Sequence, residues 1–139
     1  MLDTADNIEL FCNAGQRNVQ ANISDACLRD LPWLYMTDKL VTRPAVIVGG
    51  GPSARSLIPI IRDMQNHGAV VFALNGAMRW LMAHCIQADY HVILDARPQN
   101  ADFVVAHADP HYLLASQCHP DVFYRVGDKP ATVWHSHID

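Results

Sequence analysis

Charge is scarce in this chain. Only 17% of its 139 residues are charged, and 10 Lys and Arg face 14 Asp and Glu for a formal net charge of -4. No basic run is present, which argues against the non-specific nucleic-acid binding that clustered Lys and Arg support by displacing counterions. Long apolar runs are missing as well. None approaches the ~20 residues needed to cross a bilayer, so no membrane partner is expected. The opening Met1-Leu2-Asp3-Thr4-Ala5-Asp6 is acidic and holds no apolar signal core, and a secretory leader is not expected. The four cysteines, Cys12, Cys27, Cys85 and Cys118, show no CxxC spacing and do not read as a disulfide framework. Reduced thiols in a cytoplasmic protein fit that pattern.

Half of the chain is hydrophobic. That is a globular composition, one domain is the natural count at this length, and the compositional marks of disorder are missing. Residues 1–43 read as a helical lead-in arm. Ile8, Leu10, Phe11 and Ala14 suggest a short amphipathic helix that Asp3 or Thr4 can cap. Asn22-Ile23-Ser24-Asp25 can open a second helix running through Leu31, which Pro32 closes. Trp33, Leu34 and Tyr35 are expected to pack the arm on the main body.

Residues 44–139 read as a Rossmann-like nucleotide-binding domain. The apolar run Ala45–Val48 stops at Gly49-Gly50-Gly51-Pro52-Ser53, and a helical pattern carrying Leu57, Ile58, Ile61 and Met64 follows up to His67-Gly68. Ala69–Leu74 is a second run ending at Asn75-Gly76, with a second helix through Met78, Leu81, Met82 and Cys85. Tyr90–Leu94 is a third, ending at Asp95. Tyr112–Ala115 and Ala131–Trp134 are the expected fourth and fifth strands, with a helical turn over Asp102–His107. Alternating strands and helices with continuous apolar strands imply an α/β fold, a mostly parallel sheet with helices on both faces. The chain stops just after the fifth strand with no closing helix, so it is expected either to be the N-terminal part of a larger domain or to form a homo-oligomer.

In such sheets ligands bind beyond the carboxyl ends of the strands. The candidates there are the Gly49–Ser53 loop, Asn75, Asp95 and the Ser116–His119 segment. Three glycines let backbone amides approach a phosphate unobstructed, Pro52 suits a first helical turn, and Ser53 can donate or accept a hydrogen bond. A tight turn needs only one or two glycines. Gly49-x-Gly51-x-x-Ala54 meets the dinucleotide fingerprint formally, but the second strand ends in Asn75 where a ribose-binding Asp or Glu is expected. No Gly-Lys-Ser or Gly-Lys-Thr follows, which excludes a Walker loop. Asp95 can serve a Mg²⁺ ion carried by substrate phosphates, or simply cap a turn before Pro98. Asn75 can fix a base or ribose, or form an Asn-Gly turn. Arg55 and Arg97 can neutralise phosphate, although a lone loop Arg is commonly a solvated one. Eight histidines are present, among them His107 with His111 and His135 with His137, but no spacing matches a structural zinc site. The loop is not Gly-x-Ser-x-Gly, so Ser53 does not read as a hydrolase nucleophile.

Three segments carry a resemblance: Ala45 to Ser53, Phe72 to Ala77, and Ala88 to Asp95. Together they resemble the MptE-like domain family, named for the archaeal 6-hydroxymethylpterin diphosphokinase. The arrangement is also similar to motility-associated flagellin glycosylation factors and, more distantly, to bacterial sialyltransferases that use CMP-sialic acid. The resemblance implies that Gly49, Gly50, Gly51, Pro52 and Ser53 hold nucleotide phosphates, that Asn75 touches the nucleotide, and that Asp95 lies beside the transferred group as catalytic residue and metal ligand. It implies a transferase moving pyrophosphate from ATP with Mg²⁺ to a small-molecule acceptor. A glycosyltransferase using a nucleotide-activated sugar is the alternative, and a non-catalytic assembly domain of phage or prophage type the third. Members of that family continue into a second half with a further glycine loop, which nothing here matches.

Overall fold

The computed structural model describes residues 19–35 and 41–135. The helix expected around Ile8 and Phe11 lies outside them. Five strands form one sheet: β1 (Ala45–Val48), β2 (Val70–Leu74), β3 (Tyr90–Ile93), β4 (His111–Ala115) and β5 (Ala131–Trp134). All neighbours are parallel and strand order follows chain order, β1-β2-β3-β4-β5. Every strand therefore ends at the same edge.

Val, Ile and aromatic side chains suit these strands because branched and flat groups pack well on a pleated surface. The register aligns Val48, Ala73 and His91, and likewise Ile93, Leu114 and Val133. These side chains share one face and are fully or almost fully buried. Helices α2 (Ile58–Asn66), α3 (Ala77–Ala83) and α4 (Pro120–Val126) cover that face. Ile61, Met78 and Leu81 meet Val48, Val71 and Ala73 in one cluster, while Val122, Phe123 and Val126 meet Ile93, Leu114 and Val133 in another.

The opposite face is half bare. Ile47 is 68% exposed, and Phe72, Leu74, Tyr90, Val92, Leu113 and Trp134 are only partly buried. Phe72 stacks on Tyr90 at 4.8 Å between centroids, and Tyr90 leans on His111 at 5.6 Å. Consecutive strand order explains this, because crossovers of one hand lay successive helices on one side. The parallel α/β sheet is thus as expected, while the second helical layer is not among the described residues.

The arm holds a helix over residues 19–27, α1. It is already formed before Asn22 and gives way to a turn at Leu28, earlier than Pro32. Ala26 enters the β4–β5 cluster, and Trp33 bridges to Val133 in parallel along the outer edge of β5. Leu34 and Tyr35 stay 57% and 79% exposed, so of that trio only Trp33 packs its side chain on the body, while Leu34 N donates to the Val133 carbonyl at 2.7 Å. Two further boundaries differ from the sequence reading. The turn between β3 and β4 is a 3₁₀ helix over Pro98–Phe103, N-terminal to the expected position. Helix α4 was not anticipated: it is seven residues long, with Pro120 in its first turn and His119 Nδ1 accepting from Asp121 N.

Candidate functional site

From β1 the chain enters Gly49-Gly50-Gly51 and then a 3₁₀ helix, Pro52–Leu57, that runs directly into α2. A tight reversal would place a glycine in the left-handed region. None of these three is there; the described glycines with positive φ are Gly68 (87°) and Gly127 (59°). A Cβ built on Gly49 or Gly50 meets nothing within 4 Å, and one on Gly51 meets only Ser53 Oγ at 3.8 Å. Neither backbone conformation nor internal packing requires glycine here, although glycine costs about 0.4–1 kcal/mol through its unfolded-state freedom. Nor do the three amides donate to any backbone carbonyl among the described residues outside the strand ladder. The three residues border open space.

That space is a cleft of about 630 Å³. Gly49 to Pro52, Ala54 and Arg55 form one wall; Gly76, Ala77 and Trp80 of the β2–α3 segment form the other. Two sequence-separated strand ends are thereby brought together. Ser53 lies around the corner, in an adjoining hollow with Val46, Ile47 and Leu57. A third hollow, lined by Met78, Met82, Ile86 and Ala108, holds none of the strand-tip candidates.

Asn75 immediately precedes Gly76 of the second wall and does not itself line the cleft. Its φ is 47°, a conformation Asn tolerates better than most residues. Asn75 N donates to the Val92 carbonyl at 2.9 Å, and its own carbonyl lies 2.8 Å from His91 Nε2. His91 is fully buried, and burial pushes its imidazole below the ordinary value of 6.5 against the opposite pull of the Asn75 carbonyl. The neutral ring therefore donates from Nε2 and leaves Nδ1 as an enclosed acceptor without a partner. Asn75 Oδ1 is likewise enclosed and unpartnered. At Gly76 space is tighter: a Cβ there would approach Phe103 Cε1 at 3.3 Å, and that ring would have to give by a few tenths of an ångström.

Asp95 follows β3, two strand spacings or roughly 10 Å across the sheet from β1, and does not line the cleft. Its Oδ1 accepts from Arg97 N at 3.0 Å, and its Oδ2 accepts from Arg97 Nε at 2.8 Å. These Arg97 contacts hold its carboxyl below the usual range. In the free chain Asp95 is occupied in a local turn. At the next strand end, Ser116 Oγ lies 2.6 Å from His135 Nδ1, but Ser116 is 1% exposed and closed to a substrate. Burial raises the Cys118 thiol to about 12, which removes it as a nucleophile. Among the described residues no group of three or more His, Cys, Asp and Glu lies together to hold a metal.

Trp80 escaped the sequence reading, while Arg55 carries there both readings, phosphate neutralisation and a solvated loop residue. For Trp80 the available signal was its i+3 spacing from Ala77, which puts both on the side of α3 that borders the cleft.

A family model described as 6-hydroxymethylpterin diphosphokinase MptE-like matches residues 17–136. The chain belongs to the MptE-like family. Among solved structures, this MptE-like chain is similar to the MAf glycosyltransferase from Magnetospirillum magneticum AMB-1, with a TM-score of 0.74 and 21% identity over 90% of this chain. At that identity the likeness concerns the fold. The MptE-like chain spans 20% of that neighbour's length. No curated protein matches it. No described helix is long and apolar enough to cross a membrane.

Proposed function

We propose that this MptE-like chain is a nucleotide-binding transferase domain whose glycine cleft holds the phosphates of ATP during pyrophosphoryl transfer. The observation that carries this reading is three adjacent glycines with free amides and no conformational need to be glycine. Backbone N–H groups of this kind bind anions well, and a missing Cβ lets phosphate oxygens reach them.

In the reaction, the hydroxymethyl oxygen of a pterin attacks the β-phosphorus of ATP. The bond from that phosphorus to the α–β bridging oxygen breaks, AMP leaves, and the hydroxyl proton passes to water. Such transfer depends mainly on positioning and charge neutralisation. Mg²⁺ supplies part of that neutralisation when bound with the nucleotide. Asp95 is the carboxylate that would hold such an ion, since Mg²⁺ carried by phosphates commonly takes only one or two; it does not line the cleft and would have to release Arg97 to do so. Its lowered pKa suits an ionised ligand better than a proton acceptor. Gly49 to Gly51 contribute amides, Pro52 and Ser53 start the following turn, and Asn75, whose Oδ1 is enclosed, would act by shaping the start of the second wall.

A second reading, a glycosyltransferase-type domain holding a nucleotide-activated sugar in the same cleft, draws support from the fold shared with the MAf glycosyltransferase. Titration with ATP–Mg²⁺, CMP and UDP separates the two. ATP binding that needs Mg²⁺, weakens in Asp95→Ala and fails in Gly50→Asp supports the first reading, as does AMP release with 6-hydroxymethylpterin. Preference for CMP or UDP supports the second. Absence of all nucleotide binding rejects both and leaves an assembly role.

A further inference from the structure

Two large side chains line the glycine cleft, exposed Arg55 and half-buried Trp80. Arg55, on the glycine wall, makes no hydrogen bond or ion pair among the described residues. Every other described Lys or Arg makes at least one. A guanidinium left free beside bare amides adds a fixed positive charge and a forked donor to the same wall. Opposite stands Trp80, half-buried in α3. Its indole is braced by His84, with ring centroids 4.7 Å apart, and the imidazole Nδ1 lies 2.8 Å from the Trp80 carbonyl. Arg62 in turn donates to the His84 carbonyl at 2.6 Å. The ring is thus held from one side while it lines the cleft on another.

We propose that the cleft takes a nucleoside polyphosphate in a single orientation, phosphates on the glycine amides and the Arg55 guanidinium, base against the Trp80 ring. The inference rests on the nucleotide reading above and adds the two side chains that give the ligand its polarity. Phosphate is recognised at the first wall by charge and N–H donors. The base is recognised at the second by an aromatic surface, which tolerates any base because every base has a π face. A cleft of about 630 Å³ is within the range of small-ligand sites, roughly 300–1,000 Å³.

The test compares ATP with inorganic tripolyphosphate, each with Mg²⁺, by calorimetry and tryptophan fluorescence on the whole chain. The wild type is expected to bind ATP more tightly than tripolyphosphate, and only ATP is expected to quench indole emission. Arg55→Ala should weaken both ligands by about tenfold or more. Trp80→Leu should weaken ATP alone, by about tenfold to a hundredfold, the stacking worth of one base. Trp80→Phe should keep most ATP affinity while losing the quench, which preserves the test if the leucine variant fails to fold. Equal weakening of both ligands in folded Trp80→Leu, or no weakening, overturns the base platform and leaves the phosphate cradle standing. A wild type that binds neither ligand removes the nucleotide reading itself.

Discussion

The two wings of the sheet finish their strands differently. On the β3–β4 side, Asn22 of α1 reaches over the edge and donates from Nδ2 to the carbonyls of Ala96 at 3.2 Å and Gln117 at 2.9 Å. Peptide groups there are answered by the protein itself, and Asp95 is answered by Arg97. On the β1–β2 side the amides of Gly49 to Gly51 donate to no backbone carbonyl among the described residues. One wing spends its polar groups on internal order. The other keeps them available, next to the one described cation without a partner. The contrast locates the candidate site better than any single residue does.

The largest effect that sharpens this comparison concerns packing. Leu81 is fully buried between α3 and the sheet, so Leu81→Ala should lower stability by about 2–5 kcal/mol in denaturant titration. Ile47, on the half-bare face, should tolerate the same truncation within about 0.5 kcal/mol. A large loss at Ile47 would show that the face is covered.

Next comes the wing beside α1. Asn22→Leu strips the donor from two carbonyls and should cost about 1–3 kcal/mol, without altering ligand binding in the glycine cleft. Altered nucleotide affinity in that variant would mean that the two wings are coupled.

A pH effect follows from His91. The folded imidazole titrates below its ordinary value, so above about pH 6.5 it is neutral folded or unfolded and changes nothing. As pH falls below 6.5 the unfolded chain takes up the proton first, and stability drops until the folded value is reached. His91→Gln, which retains a donor for Asn75, should flatten this slope in thermal melts at successive pH values. Asp95, also lowered, acts only further into acid, where the unfolded carboxyl protonates first near 3.8.

The smallest effect is the most specific. Gly50→Ala meets no atom and no forbidden φ, and should leave stability unchanged or raise it by about 0.4–1 kcal/mol. The same methyl should hinder a phosphate approaching the amides. Destabilisation by alanine would return Gly50 to an ordinary structural role.

Much of this was legible in the sequence because apolar runs and glycine stops are local signals. Ala131–Trp134 has the expected bounds, and β4 starts one residue before the Tyr112 expected from the pattern. The short helix α4 was not legible, since seven residues opening on His119-Pro120 carry too little periodicity. The bare face was invisible for another reason. Phe72, Tyr90 and Leu113 are as apolar as Val71, Ile93 and Leu114, so composition alone cannot say which face a helix will cover. At the site, the glycine loop was legible from residue type. The freedom of Arg55 was not, because what singles it out is the pairing of every other described cation, a property of tertiary structure.

Trp33 bridges to Val133, about a hundred residues downstream. On a ribosome adding roughly 5–20 residues per second, the arm emerges first yet must wait several seconds for the strand it lies along. The sheet can grow unit by unit behind it, each strand docking on its predecessor. Trp33 can join β5 only after the other four strands have been made, whereas Asn22 can already reach Ala96 and Gln117 before then.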